Sequence, residues 1–149
     1  MPQSLARNLI HLIYSTKNRE PLLIESIRME LHKYAGGILR DLHSPALIIN
    51  SVGDHMHVLM NLHRTKALSD VVMELKRGTS VWLSKTAKVA GFQWQSGYGA
   101  FSIGQSMVKT VTQYIENQAK HHKKTSFQDE FRGILERYEI EFDERYVWD

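Results

Sequence analysis

The stretch ALIINSVGDHMHVLMNLH (residues 46–63) places two apolar segments on either side of a Gly-Asp dipeptide. Short runs rich in Ile, Leu and Val predict strands, and a Gly-Asp pair between two such runs is typical of a hairpin. The stretch therefore predicts two antiparallel strands, at 46–52 and 55–63. Since successive side chains of a strand point to opposite faces, His55 and His57 share one face of the second strand.

The segments around this hairpin predict a β-α-β-β-α-β order followed by one more helix. Strand-like apolar runs and helical spacing of apolar residues alternate along the chain. The predicted elements outside the hairpin are a strand at 8–15, a helix at 23–42, a helix at 69–89, a strand at 99–104 and a helix at 106–122. This order predicts an α+β fold of the ferredoxin-like split β-α-β type, with a central antiparallel sheet and an extra C-terminal helix.

The composition indicates one domain without cysteine chemistry. The 149 residues suffice for a single core, and the absence of Cys excludes disulfides, cysteine zinc ligands and a Cys nucleophile. Any metal must therefore be bound by His, carboxylate or amide side chains. No apolar run of about 18 residues predicts a membrane span, and the N-terminus does not resemble a signal peptide, so a cytoplasmic protein is expected.

Charge is distributed unevenly along the chain. Residues 129–149 contain eight acidic and three basic residues, which leaves 16 Lys and Arg against 8 Asp and Glu in residues 1–128. We therefore expect a main domain at 1–128 and an acidic tail at 129–149 that packs on this domain or on a partner subunit. A basic body is typical of proteins that bind a polyanion, although a solvated charged surface explains the same balance.

The two histidines of the hairpin could bind one divalent ion. Imidazoles two residues apart on a strand project side by side, while Met56 and Val58 point to the opposite face and into the core. The pattern is a weak signal by itself, because a chain with eight histidines can form such a pair by chance. On this pattern alone, metal binding and chance both stay open.

The last predicted helix carries a second polar group. At about 100° per residue, Tyr114, Gln118 and His121 fall on one stripe beside the apolar face of the helix. These side chains can reach a cleft, although a helical tyrosine more often packs with its hydroxyl in water. Lys120 and Lys123 make the helix end basic, which suits both the helix dipole and a phosphate backbone.

Aromatic and basic side chains indicate a surface for nucleic acid. The glycine-rich segment at 91–106 contains aromatic residues that either stack unpaired bases or fix an irregular loop to the core. The helix before this segment has a basic character. The candidate residues of this surface are Lys76, Arg77, Lys85, Trp94, Tyr98 and Phe101, together with Lys120, His121 and Lys123 of the last helix.

Three stretches, taken in order, resemble one protein family. The histidine pair after a strand and an Asp, the segment WQSGYGAFS (94–102) and the helix YIENQAKHH (114–122) are similar to the small single-tyrosine transposases of bacterial insertion sequences. These enzymes belong to the HUH endonucleases, named for His, a hydrophobic residue and His. The resemblance covers nearly the whole chain and extends to close relatives, the REP-associated tyrosine transposases.

This resemblance implies a catalytic centre. It implies that His55, His57 and Gln118 bind a divalent ion, Mg²⁺ or Mn²⁺, and that Tyr114, on the extra C-terminal helix, is the nucleophile. The implied reaction cleaves single-stranded DNA, leaves a covalent 5′-phosphotyrosine and a free 3′-OH, and rejoins strands without ATP. Asp54 stands where the family often has an acidic residue, and it either acts beside the first histidine or only forms the turn.

The resemblance also implies partners. The expected substrate is single-stranded DNA folded into an imperfect hairpin, and the expected assembly is a homodimer in which the tyrosine helix of one chain can complete the histidine site of the other. Such an enzyme acts in the bacterial or archaeal cytoplasm, at the nucleoid. Two alternatives stay open: a REP-associated or domesticated relative that processes chromosomal palindromes, and a non-catalytic nucleic-acid-binding module.

Overall fold

A computed structural model gives the structure of residues 2–149. Within this part of the chain there are four β-strands and five α-helices. The strands are β1 (Leu9–Ser15), β2 (Ala46–Ser51), β3 (His55–Asn61) and β4 (Gly99–Ser102). The helices are α1 (Glu25–Asp41), α2 (Leu68–Lys85), α3 (Val108–Glu116), α4 (Gln118–His121) and α5 (Phe127–Arg137). No helix among these described residues combines the length and the apolar character that crossing a membrane requires.

The strands form one antiparallel sheet in the order β2-β3-β1-β4. The central strands β1 and β3 pair along their whole length, from Leu9 opposite Asn61 to Ser15 opposite His55. The predicted hairpin is present, with β2 paired to β3. This strand order is that of a ferredoxin-like split β-α-β sheet, and it confirms the predicted fold class.

Helices α1 and α2 cover one face of the sheet and enclose the main apolar core. From the helices this core receives Leu31, Ala35, Leu39, Leu75 and Leu83. From the central strands it receives Leu12, Tyr14, Met56, Val58 and Met60, all without exposed surface. The prediction that Met56 and Val58 point into the core is confirmed. Because full burial of a large apolar side chain contributes about 1.5–3 kcal/mol, this layer is a main source of stability.

Helices α3, α4 and α5 lie against the opposite face, where the layer is mixed. A smaller apolar cluster packs Ile13 and Phe101 of the sheet against α5 residues Phe127, Phe131, Ile134 and Leu135. The imidazoles of His55 and His57 point to this same face and lie beside that cluster. This face therefore combines a small core with buried polar groups.

The last predicted helix is not continuous. It was expected to run through 106–122, but α3 ends at Glu116, and Asn117 has φ −92° and ψ 17° before α4 begins. Asn is a weak helix former because its side chain competes for backbone hydrogen bonds, which accounts for a break at this residue. Beyond the break, Gln118 is fully buried.

Helix α5 was not predicted from the sequence. It begins at a capping residue, Ser126, whose Oγ accepts a hydrogen bond of 3.1 Å from the backbone N–H of Asp129. The expected boundary after residue 128 falls inside this helix. The apolar side of α5 packs on the sheet of its own chain. The segment expected as an acidic tail therefore begins as part of the domain.

Candidate active site and metal centre

His55 and His57 are fixed on the sheet by the register of the two central strands. His55 lies opposite Ser15 and His57 opposite Ile13, and neither imidazole has exposed surface. A buried polar group is costly unless it has a hydrogen-bond partner, so each ring needs a partner on both nitrogens.

The outer nitrogens of both rings have such partners. His55 Nδ1 lies 2.6 Å from Asp54 Oδ1, and His57 Nδ1 lies 2.9 Å from Nε2 of His11 on β1. Since a carboxylate only accepts, His55 Nδ1 carries the hydrogen and its Nε2 faces inward. Carboxylate-to-histidine contacts of this kind orient metal ligands. Asp54 was expected either to act beside the first histidine or only to form the turn, and its carboxylate does contact His55.

Tyr114 and Gln118 are brought to the same cluster by α3 and α4. The Oε1 atom of Gln118 lies 3.3 Å from His55 Nε2, and the Tyr114 ring lies 5.8 Å from the His57 ring, centroid to centroid. The side-chain amide of Asn50 on β2 donates a 2.7 Å hydrogen bond to a backbone carbonyl of α3, which ties that helix to the sheet. The side chains singled out in the sequence thus meet within one chain.

Glu130 of α5 occupies the centre of this cluster, although it was not among the predicted site residues. Its side chain is almost fully buried. Its Oε1 lies 3.1 Å from His57 Nε2 and 3.4 Å from His55 Nε2. Its Oε2 accepts a hydrogen bond from the Tyr114 hydroxyl and another, of 3.3 Å, from Gln118 Nε2. One carboxylate therefore contacts all four residues predicted to form the catalytic centre.

Two further imidazoles approach the same carboxylate. His122 Nε2 lies 3.1 Å from Glu130 Oε1, and His122 Nδ1 lies 2.7 Å from the carbonyl oxygen of Thr125. His121 Nε2 lies 3.3 Å from Glu130 Oε2, and the His121 ring packs 5.5 Å from the Tyr114 ring. The predicted grouping of Tyr114, Gln118 and His121 is present, while His122 adds a group that was not predicted there.

One sequence feature does point to Glu130. It lies on the apolar side of α5, three residues after Phe127 and next to Phe131. A carboxylate on a buried helix face requires hydrogen-bond donors or a cation. Composition alone did not distinguish Glu130, because the other seven acidic side chains of residues 129–149 are exposed.

Burial and neighbouring charges determine the protonation states at the centre. Burial lowers the pKa of His57 to about 4. Burial also acts to lower the pKa of His55, but hydrogen bonds to Asp54 and Glu130 outweigh it and raise that pKa. Burial acts to raise the pKa of Glu130, yet the surrounding imidazoles hold it well below its usual range. Burial and then the charge of Glu130 raise the pKa of Tyr114, so its phenol is protonated at neutral pH.

The cluster has the donor set of a divalent metal site. His55, His57, His122 and Glu130 each offer one ligand atom, and these four atoms lie within 4.8 Å of one another. Among the described residues, His122 Nε2 is a buried nitrogen without a hydrogen-bond partner. Imidazole nitrogens and carboxylate oxygens bind divalent ions, so these residues fit a metal.

The predicted basic residues lie in two separate places. A cleft of about 410 Å³ opens beside the tyrosine and is lined by Tyr114, Asn117, Lys120, His121, Lys124 and Thr125. Lys123 is exposed and borders a separate cleft of about 400 Å³, together with Ala119, His122 and Gln128. Arg77 and Lys85 are exposed on α2, which covers the opposite face of the sheet. Of the predicted basic residues, Lys120 and His121 therefore lie beside the tyrosine.

Lys76 and the aromatic segment have structural roles. Lys76 Nζ donates hydrogen bonds of 2.9 Å and 2.6 Å to the carbonyls of Gln95 and Gly97, and burial lowers its pKa to about 8. Trp94 and Phe101 are buried in the two apolar clusters, and Trp94 also borders a cleft of about 480 Å³ with Lys76, Arg77 and Tyr98. Tyr98 is 37% exposed and stays available for such a contact. Packing, one of the two interpretations of this segment, thus describes Trp94 and Phe101.

Comparisons with known proteins identify a sequence family and similar folds. The sequence family described as "Transposase IS200 like" matches residues 4–118. No curated protein sequence matches the chain. A solved structure of a candidate transposase from Deinococcus radiodurans R1 is similar with 20% identity and a TM-score of 0.63, covering 79% of this chain and 98% of that one. A REP-associated tyrosine transposase bound to a REP hairpin is similar with 16% identity and a TM-score of 0.54, covering 81% of this chain and 73% of that one. At these identities, the structural likeness shows the fold alone.

Proposed function

Since the chain belongs to the family of IS200-like transposases, we propose that it cleaves and rejoins single-stranded DNA at insertion-sequence ends, with Tyr114 as the nucleophile. The observation that supports this most directly is the meeting of Tyr114 with His55, His57 and Gln118 in one buried cluster. A module that only binds nucleic acid would have no need for this combination.

In the proposed reaction, the phenolic oxygen of Tyr114 attacks the phosphorus of a phosphodiester. A Tyr–O–P bond forms, the P–O3′ bond breaks, and the phenolic proton is balanced by protonation of the leaving 3′ oxygen. The products are a 5′-phosphotyrosine and a free 3′-OH, and attack by an incoming 3′-OH reverses the step and joins strands. A phenol is a weak nucleophile at neutral pH and needs activation, more so because burial raises the pKa of Tyr114.

We propose His55, His57 and Gln118 as ligands of a divalent ion, Mg²⁺ or Mn²⁺. When bound, such an ion polarises the scissile phosphate and stabilises the charge that develops on it. Asp54 and His11 contact the outer nitrogens of the two imidazoles and orient them before DNA binds.

The DNA strand is proposed to lie in the cleft beside Tyr114. Lys120, His121 and Lys124 line this cleft, so a phosphate backbone would meet several cations there. Arg77, Lys85 and Tyr98 offer a separate surface for the duplex part of a hairpin. Because phosphate contacts release counterions, binding should weaken steeply as the salt concentration rises.

The experiment incubates the protein with end-labelled single-stranded DNA from the flanks of its own locus and with Mg²⁺ or Mn²⁺. We expect a protein–DNA adduct that survives SDS, and we expect Tyr114→Phe to abolish it. The matched control is Tyr146→Phe, because Tyr146 is 64% exposed and should form the adduct normally. Cleavage by Tyr114→Phe at the wild-type rate would show that the tyrosine is not the nucleophile.

A homodimer is part of the proposal. Light scattering should give twice the 17.3 kDa mass of one chain. Mixing Tyr114→Phe with His57→Ala tests which chain supplies the nucleophile. Restored cleavage would show composite sites, whereas no restoration would fit the arrangement seen within one chain.

The second candidate function is a REP-associated or domesticated enzyme that acts on chromosomal palindromes. It shares the chemistry, and the observation that favours it is the fold likeness to the hairpin-bound REP-associated transposase. Competition between locus DNA and chromosomal palindromic hairpins in the same adduct assay separates the two. Preferential adduct formation with the palindromes would favour this second function.

A further inference from the structure

We propose that the segment after Gln118 completes the metal centre, with His122 and Glu130 joining His55 and His57 as ligands. Together with Gln118, the three imidazoles and one carboxylate form a set that selects first-row transition ions such as Zn²⁺ and Mn²⁺ over Mg²⁺. Both added ligands lie beyond residues 4–118, which match the transposase family. The inference rests on the proposed function only in assuming that the bound ion takes part in DNA cleavage.

The first observation is the hydrogen-bond geometry of His122. Its Nδ1 lies 2.7 Å from the carbonyl oxygen of Thr125, which can only accept, so Nδ1 bears the hydrogen. When Nε2 carries no proton, two acceptors, Nε2 and Glu130 Oε1, face each other at 3.1 Å. Two acceptors at that distance repel each other unless a cation or a proton lies between them. The geometry of this contact is not that of a hydrogen bond, and no other described residue offers the buried Nε2 a hydrogen-bond partner.

His55 presents its inner nitrogen to the same carboxylate. Its Nδ1 donates to Asp54, and its Nε2 faces Glu130 Oε1 at 3.4 Å and Gln118 Oε1 at 3.3 Å. His57 Nε2 adds a third nitrogen, 3.1 Å from the same carboxylate oxygen. Several electron-rich atoms thus converge, which is the arrangement that a cation stabilises.

The spacing around Glu130 Oε1 also fits a metal, and all four ligand atoms lie within 4.8 Å of one another. Ligands at about 2.0–2.1 Å from a tetrahedral ion are separated by roughly 3.3–3.4 Å. The three distances from Glu130 Oε1 to imidazole nitrogens are 3.1, 3.1 and 3.4 Å. Imidazole suits transition ions, whereas Mg²⁺ prefers oxygen ligands and keeps several waters. The side chains of His55, His57 and His122 therefore set the selectivity.

Glu130 links this centre to the nucleophile. While Oε1 faces the imidazoles, Oε2 accepts the hydrogen bond of the Tyr114 hydroxyl. Glu130 is thus both a ligand and a positioning residue for Tyr114. An ion bound through Oε1 would hold the carboxylate, and through it the phenol, in place.

The test measures metal binding by the full chain after treatment with EDTA, using calorimetric titration with ZnCl₂, MnCl₂ and MgCl₂. We expect one Zn²⁺ or Mn²⁺ per chain, bound at least about tenfold more tightly than Mg²⁺. Glu130→Gln and His122→Gln should each weaken Zn²⁺ and Mn²⁺ binding by about tenfold or more. The rise in melting temperature that these ions produce in the wild type should shrink in both variants.

The matched controls are Glu136→Gln and His63→Gln. Glu136 is exposed on the same helix as Glu130, and His63 lies outside the cluster. Both controls should bind metal as the wild type does. Circular dichroism shows whether each variant is folded, and the conservative Glu130→Asp variant should keep more affinity than Glu130→Gln.

Three results would overturn the inference. In the first, the wild type binds neither Zn²⁺ nor Mn²⁺ stoichiometrically. In the second, folded Glu130→Gln and His122→Gln bind these ions with wild-type affinity. In the third, the wild type binds Mg²⁺ as tightly as the transition ions. The first would show that protons, not a metal, hold the cluster together. These results are independent of the Tyr114 adduct. If the wild type forms the adduct but Glu130→Gln and His122→Gln bind metal as tightly as the wild type does, only this inference is wrong. If both variants lose metal binding but the wild type forms no adduct, only the proposed function is wrong.

Discussion

The two faces of β3 contrast with each other although their residues alternate along one strand. Met56, Val58 and Met60 point to the face under α1 and α2 and pack only in the apolar core. His55 and His57 point the other way and meet imidazoles, an amide and a carboxylate. The first face needs side chains of the right size and shape, whereas the second needs hydrogen-bond partners for every buried polar atom.

The two faces of the sheet are also covered by different elements of the chain. The apolar face joins elements that all lie before residue 102, and it supplies the main core. The polar face depends on α3, α4 and α5, and its apolar packing comes mainly from α5. Changes to the first face should therefore alter stability without altering the site. Changes to the residues that pack against α5 should alter both the stability and the site.

The largest expected effect comes from the apolar face. Met60→Ala should lower the free energy of unfolding by about 2–5 kcal/mol, because Met60 has no exposed surface and the change leaves a cavity. Urea unfolding followed by circular dichroism measures it. The volume-conserving Met60→Leu should lose less than about 1.5 kcal/mol. If Met60→Ala also weakened metal binding at low urea, the two faces would not be independent.

The next effect tests the polar face through a close approach. A Cβ at Gly99 on β4 would meet the ring of Phe131 on α5, 2.7 Å from its Cζ. Gly99→Ala should therefore displace α5, lower the free energy of unfolding by about 1–3 kcal/mol and weaken metal binding. Denaturant unfolding and metal titration on the same preparation measure both changes.

The matched control lies on the apolar face. A Cβ at Gly78 of α2 would meet the Cδ1 methyl of Ile38 at 2.5 Å. That methyl is the end of a flexible side chain, and Ala improves helix propensity by about 1 kcal/mol, so Gly78→Ala should cost less. It should leave metal binding unchanged. Equal metal-binding losses in both variants would contradict the division of the faces.

A smaller effect tests how firmly α5 is anchored. Ser126→Ala removes the cap that accepts from Asp129 N–H and should cost about 1 kcal/mol, while Ser126→Asp should keep the cap. Amide hydrogen exchange should become faster in α5 but not in α1 or α2. The control Ser84→Ala changes an exposed serine of α2 and should leave α5 exchange as it is. Unchanged exchange in Ser126→Ala would show that α5 does not depend on its cap.

Much of the fold could be predicted because local patterns determine it. Alternation in β3 separated His55 from Met56, and the Gly-Asp turn identified the hairpin that pairs β2 with β3. The spacing of Tyr114 and Gln118 identified residues that do lie together. In β3, side-chain direction follows from strand geometry alone, whereas Gln118 reaches the cluster from beyond the break at Asn117.

Glu130 could not be predicted in the same way. Its place depends on the break at Asn117, the turn at Thr125 and the packing of α5, none of which follows from local periodicity. Trp94 shows the same limit, because the sequence allowed either stacking or packing. Its indole N–H donates a 3.1 Å hydrogen bond to Thr79 Oγ1, a contact that only the fold creates.

The smallest expected effect contrasts a structural histidine with the clustered ones. His32 on α1 lies 2.7 Å from the Ser51 hydroxyl, and burial, then the charge of Arg28, lowers its pKa from 6.5 to about 4. The unfolded chain therefore binds this proton more readily than the folded chain between about pH 4 and 6.5. His32 contributes stability above that window, and the contribution is lost as the pH falls through it.

Replacing His32 isolates this contribution, because Gln keeps a hydrogen-bonding group near Ser51 but does not titrate. Between pH 7.5 and pH 6, the free energy of unfolding should fall less in His32→Gln than in the wild type, by under about 1 kcal/mol once solvent screening is allowed for. Urea unfolding across this pH range, with EDTA present to exclude metal, measures the difference. A single hydroxyl partner gives His32 no carboxylate to share with a cation, so replacing the EDTA by Zn²⁺ should not change that difference. If Zn²⁺ did change it, the helix-covered face would also contain a metal ligand, and the contrast between the two faces of β3 would fail.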